Sequence, residues 1–225
     1  MKYYCEKKTL NFESKMHNLL LLYKKLSIQY DAHGKLLPAE DGEYIHVLSY
    51  DEKPGIQATA NASQNLPPKP GEHEAIACDY EYKRKGTISL LAAIDLQTGK
   101  AIALIRKTHK SEDYIDFLKI LDSSYPRKHS ICIALDNLKV HTSKKTRDYL
   151  ATVPNRFQFV FTPKHGSWLN LIESFFNKLT KQMLRGIRVE SQEELQKRLY
   201  KYFEEINADP VVYHWAWKLE EIDVS

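Results

Sequence analysis

Between residues 13 and 30, Leu19, Leu20, Tyr23 and Leu26 recur at the spacing of one helical face, which predicts an N-terminal helix. A polar connector, 31–42, follows. Tyr44 to Tyr50 (YIHVLSY) then reads as a strand. Residues 53–73 hold Pro54, Gly55, Pro67, Pro68, Pro70 and Gly71, a composition that predicts a long insertion loop with little regular structure. Glu74 to Lys83, Thr87 to Asp95 and Ala101 to Arg106 are extended in pattern, and Gln97-Thr98-Gly99-Lys100 is suited to a hairpin turn between the last two. Ser111 is a good cap for a helix through Asp122, with Tyr114, Ile115, Leu118 and Leu121 as its apolar stripe. A strand at 130–135, a helix near 142–151 and a strand at 157–161 come next. The pattern then predicts a helix at about 168–184 and another from the capping box Ser191-Gln192-Glu193-Glu194 to Ile206. A last helix is expected between Pro210 and Glu220.

Antiparallel strands first and strand–helix alternation afterwards imply an α/β fold with a mixed five-stranded sheet and helices on both faces. Three antiparallel strands followed by two parallel ones is the ribonuclease H-like order. With N- and C-terminal helices added, this divides the chain into an N-terminal helical arm (1–43), a catalytic domain (44–208, insertion about 53–73) and a C-terminal helical tail (209–225).

The 225 residues are enough for one domain with a substantial core, and 43% hydrophobic composition is ordinary for a globular chain. The net charge of +4 suits nucleic acid without requiring it. Cys5, Cys78 and Cys132 are odd in number and far apart, so neither a zinc cluster nor a disulfide framework is visible, and a reducing bacterial cytoplasm is the expected setting. The first fifteen residues lack the apolar core of a signal peptide, and Leu19 to Leu22 is far too short to span a bilayer.

Three carboxylates stand at informative places in this pattern: Asp51 at the end of the first strand, Asp136 closing the apolar run ICIAL, and Glu173 within a helical segment. Taken singly, each has an ordinary explanation: a solvated turn, an Asx turn, an exposed helical glutamate. Together they offer the hard oxygen ligands that Mg²⁺ prefers. Two such ions roughly 3.5–4 Å apart can stabilise both the attacking and the leaving oxygen of a phosphodiester displacement. On this reading Asp51 bridges the pair while Asp136 and Glu173 each hold one side.

Three stretches carry a family resemblance. Ser49 to Pro54 is SYDEKP, Leu135 to His141 is LDNLKVH, and Thr162 to Phe176 is TPKHGSWLNLIESFF; 36 residues (137–172) separate the second acid from the third. Together with Tyr80 to Ile94, these resemble the catalytic domain of DDE transposases of the mariner superfamily, in its bacterial insertion-sequence (six-thirty) branch. The resemblance implies a Mg²⁺-dependent enzyme (Mn²⁺ substituting) with Asp51, Asp136 and Glu173 as catalytic and metal-binding acids. It would cleave DNA at transposon ends and join the freed 3′-hydroxyl to target DNA, by resemblance at a TA dinucleotide, working as a homodimer on a nucleoid-associated substrate. A ribonuclease H-like nuclease that cuts without joining, and an inactive DNA-binding relic, are the alternatives.

Asn137, His141, Lys164, His165 and Asn170 are candidates for supporting the acids or touching DNA, against local structural roles for each. Lys83-Arg84-Lys85, Lys144-Lys145, Lys178, Lys181, Arg185 and Arg188 are candidates for phosphate tracking. Tyr213, Trp215 and Trp217 suit either base stacking or core packing, the latter favoured. Family members carry a helix-turn-helix domain before the catalytic part, whereas about 43 residues precede the first strand here. That leads to the expectation of a fragment or a split reading frame whose end recognition comes from a separate DNA-binding polypeptide.

Overall fold

The structure, a computed structural model, describes residues 11–30, 45–72, 74–76 and 81–221. The connector at 31–44 and the strand expectation across 77–80 lie outside the described residues, as do Cys5 and Cys78. Five strands form one sheet in the order β3-β2-β1-β4-β5. They are β1 (Ile45–Asn61), β2 (Tyr82–Asp95), β3 (Ala101–Arg106), β4 (Ser130–Leu135) and β5 (Phe157–Phe161). The first three pair antiparallel; β4 joins β1, and β5 joins β4, in parallel.

Each sheet face is buried, which is why the central strands read as nearly continuous apolar runs. Period-2 alternation sends Leu48 and Tyr50 to one face, with Tyr114, Phe117, Leu118 and Leu121 of α2 (Ser111–Ser124). It sends Val47 to the other, with α1 (Phe12–Ser27), α4 (Ile172–Leu179) and α5 (Gln192–Ala208). A short helix α3 (Lys144–Ala151), capped by Ser143, links β4 to β5 on the α2 side. The predicted N-terminal arm is part of this core: Leu19, Leu20, Tyr23 and Leu26 are buried, and the Tyr23 hydroxyl donates 2.9 Å to the carbonyl of Leu169.

The structure differs from the sequence expectation in three places. The insertion expected at 53–73 begins as strand: β1 runs on to Asn61, paired with β2 as a two-stranded ribbon beyond the other strands. Pro54 and Gly55 do not end it, because the register shifts between Lys53 and Ile56 and Gly55 takes φ 68° at that bulge. The helix expected at 168–184 is three pieces: a 3₁₀ turn (Ser167–Leu169), α4, and a π-helical turn (Thr180–Leu184). Trp168 is half exposed rather than part of the buried face.

The C-terminal segment is the third difference. Residues 209–218 form no helix, and only Leu219–Glu221 makes a 3₁₀ turn. The chain there passes the β2–β3 turn so closely that a Cβ on Gly99 (φ 74°) would lie 2.5 Å from the Val211 carbonyl. Trp215 then packs on Tyr23, with centroids 5.6 Å apart. Tyr213 and Trp215 thus show the core packing favoured for these aromatics, reached without a helix, whereas Trp217 is 46% exposed.

Candidate active site

The parallel register of β1 and β4 ends with Ser49 opposite Ala134. Continued by two residues, it brings Asp51 level with Asp136, on strands about 4.8 Å apart. Glu173 enters from α4, whose start is fixed to β1 by a buried polar clamp. The Asn170 amide donates 2.8 Å to the Tyr50 carbonyl, the Ser49 hydroxyl donates to the Asn170 side-chain oxygen, and the Ile172 N–H donates 2.9 Å to the Ser49 oxygen. Asn170 is 2% exposed, so it positions the acids and has no surface with which to touch DNA.

Asp51 shares a sheet face with Ser49 and hence with α4. Burial pushes its carboxyl up to about 7; the Glu52 N–H donating 2.8 Å to Oδ1 opposes this, while the charges of Glu52, Asp136 and Glu173 add to it. Three strand- and helix-borne acids thus repel one another at one edge of the sheet. A carboxylate cluster of this kind is the donor set a hard divalent cation fits.

Glu52 was not singled out in the sequence. Alternation turns it to the opposite face, toward Tyr50 and α2, where it accepts 2.7 Å from the Tyr50 hydroxyl and lies 3.0 Å from His141 Nε2. His141 sits in the 3₁₀ turn Lys139–Thr142, with Nδ1 3.2 Å from the Asp136 carbonyl and 3.3 Å from Asp136 Oδ1. Burial alone lowers the pKa of this imidazole, but the hydrogen bond and charge of Glu52 and both oxygens of Asp136 turn the shift upward. One ligand atom from each of Glu52, Asp136 and His141 falls within 4.8 Å of the others.

The remaining candidates line a cavity of about 650 Å³ beside Asp136, on the β5 side of the site. Asn137 donates 2.6 Å to the Thr162 carbonyl and accepts 2.5 Å from Lys15 of α1, a contact no local pattern announces. Exposed Lys164 and His165 complete that wall, His165 in the left-handed region at φ 64°. On the ribbon side a second concavity of about 320 Å³ is lined by Lys53, Thr59 and Arg188. Of the three acids only Asp136 lines the first cavity, and none lines the second, whose Lys53 lies two residues beyond Asp51.

The comparisons with known proteins agree with this geometry. The profile of the DDE superfamily endonuclease family matches residues 46–196. The chain is similar, at 26% identity over 130 residues, to the insertion element IS630 uncharacterized 39 kDa protein of Shigella sonnei; the match covers 58% of this chain and 38% of that relative. In fold it is similar to the catalytic domain of Mos1 mariner transposase (TM-score 0.57, 17% identity, 90% of this chain and 84% of that one). It is also similar to the mariner Mos1 paired end complex with Mg (TM-score 0.61, 17% identity, 98% and 63%). The chain thus spans well under two thirds of the IS630 protein and a little under two thirds of the Mos1 chain in that complex. With the family profile covering most of its length, the chain belongs to the DDE superfamily of endonucleases.

Proposed function

We propose that this chain is the catalytic domain of a cut-and-paste transposase, with Asp51, Asp136 and Glu173 as its metal-binding acids. The reading is supported by the parallel register that sets Asp51 level with Asp136, and by the Ser49–Asn170 clamp that ties the start of α4, and with it Glu173, to β1. Mg²⁺, or Mn²⁺ in its place, would supply the positive charge that stabilises the attacking and leaving oxygens of an in-line phosphoryl displacement. In the cleavage step a water oxygen bonds to phosphorus, the bond to the 3′-oxygen breaks and that oxygen leaves as a 3′-hydroxyl; in joining, the freed 3′-oxygen bonds to a target phosphorus, the bond from that phosphorus to the target's own 3′-oxygen breaks, and that oxygen takes up a proton. Asp51, Asp136 and Glu173 would hold the cations, and the Ser49–Asn170 clamp keeps the Asp51 and Glu173 backbones in register. Lys15, Lys164, Lys53 and Arg188 hold the phosphates of DNA entering from either side. Two copies acting on paired ends suit this chemistry.

The test is a strand-transfer assay with pre-cleaved transposon-end DNA and either Mg²⁺ or Mn²⁺. Joined product is expected from the wild type, and its loss in Asp136→Ala with retained fold and DNA affinity. Cleavage without joining would make the chain a nuclease. No divalent-dependent cleavage at all would leave a DNA-binding relic.

A further inference from the structure

Glu52 and His141 have no role in that scheme, yet both side chains are nearly sealed from solvent, at 5% and 1% exposure. We propose that they form a strut that positions Asp136 for cation binding, an inference that rests on the metal-dependent reading above. The two ring nitrogens of His141 point in different directions. Nε2 meets Glu52 at 3.0 Å, and Nδ1 meets Asp136 at its carbonyl (3.2 Å) and at Oδ1 (3.3 Å). The three residues therefore make a line, Glu52–His141–Asp136. A cation among them would have to take a nitrogen already engaged, so the arrangement serves hydrogen bonding better than ligation.

Each end of the line is fixed. The Tyr50 hydroxyl, 2.7 Å from Glu52 Oε1, orients the glutamate. The Tyr50 and Tyr114 rings, 5.6 and 4.7 Å from the imidazole by centroid, hold it in plane. At the other end Asp136 Oδ1 faces both His141 and the Leu138 N–H at 2.9 Å. Both contacts fall on one oxygen and leave Oδ2 outside them; the Asp136 side chain is 38% exposed and lines the cavity. Hydrogen bonds behind a ligating group of this kind commonly set its orientation, and their loss costs about 10–100-fold in metal affinity or activity. The strut also couples the two sheet faces: Asp51 looks to α4, while Glu52, one residue on, braces Asp136 from the α2 side.

Two near-isosteric variants of the full chain separate the ends of the strut. The His141→Asn amide can replace Nδ1 but not reach Glu52; the His141→Gln amide can reach Glu52 but not serve Asp136. Mn²⁺ affinity is measured on the protein alone by calorimetry or electron paramagnetic resonance, beside melting temperature and the Mn²⁺ dependence of cleavage. The expected result is a Mn²⁺ Kd about 10–100-fold weaker in His141→Gln, with a matching rise in the Mn²⁺ concentration for half-maximal cleavage and a much smaller change in rate at saturation. His141→Asn should recover most of the affinity, and Glu52→Gln should lose less than Asp136→Asn.

Wild-type Mn²⁺ affinity in both His141 variants would overturn the proposal. So would equal losses in both that simply follow melting temperature. Glu52→Gln losing Mn²⁺ as completely as Asp136→Asn would make Glu52 a ligand and overturn it too. A wild type that binds Mn²⁺ but leaves DNA uncut would remove the transposase reading while the affinity series still decides the strut. A wild type that binds no Mn²⁺ would remove both.

Discussion

At the scale of the residue, Asp51 carries the sharpest consequence. Its carboxyl, near 4 in an unfolded chain, is pushed up to about 7 in the fold by burial and then by neighbouring acids. An acid with a raised folded pKa binds more protons in the native state, so ionising it costs stability. That cost is absent at about pH 4, grows through the interval, and is fully felt above about pH 7. Asp51→Asn removes the titration. The variant is expected to melt higher than the cation-free wild type at pH 8 and close to it at pH 4, by calorimetric scans across that range. Mn²⁺ should reverse the difference at pH 8 and, below pH 7, displace close to one proton, read from titrations in buffers of different ionisation enthalpy. Asp51, Asp136 and Glu173 were all legible as candidates because each lies in or beside an element whose local pattern is clear. Glu52 was not, because adjacent strand residues look alike in sequence and only the faces they meet distinguish a cation-facing acid from a bracing one.

At the scale of the element, most strands and helices followed from periodicity, and the exceptions share a cause. The β1 extension past Pro54, the break of the 168–184 region and the non-helical 209–218 segment are each decided by a partner distant in sequence. β2 pairs with the ribbon and continues it; the Val189 N–H and the Thr59 carbonyl bond at 2.8 Å and tie the chain after the π-turn to it; the Gly99 turn meets Val211. The N-terminal helix is the opposite case, read correctly as a helix but assigned to an arm. Leu19 of α1 is wholly buried. Leu19→Ala is therefore expected to cost about 2–5 kcal/mol in urea denaturation, with a single cooperative transition. Near-zero cost would mean that α1 is detachable from the fold.

At the scale of the whole molecule, one concavity beside Asp136 carries Lys15, Lys164 and His165, and another along the ribbon carries Lys53, two residues from Asp51, and Arg188. Phosphate neutralisation releases counterions, so binding to duplex DNA should weaken steeply with salt. Lys15→Ala and Lys164→Ala are each expected to reduce the slope of log K against log salt by about one while weakening all sequences alike. Fluorescence-anisotropy titrations at several salt concentrations check this; an unchanged slope would place the DNA elsewhere. Among the described residues no helix is long and apolar enough to cross a membrane.

The sequence by itself determined the order of the five strands and of the helices that cover them, the mixed sheet, and the three acids as candidates. Those depend on local periodicity and on short motifs whose residues stay together in the chain. Tertiary structure decided what surrounds the acids: Asn170 as an internal clamp, Lys15 at the mouth of the site, and His141 between Glu52 and Asp136. Each of the clamp and Lys15 contacts joins residues more than a hundred positions apart, and Glu52 and His141 are 89 apart. Such pairings exist only once β1 lies beside β4 and both faces of the sheet are covered. Local pattern fixes which way a side chain alternates, but not what it will meet there.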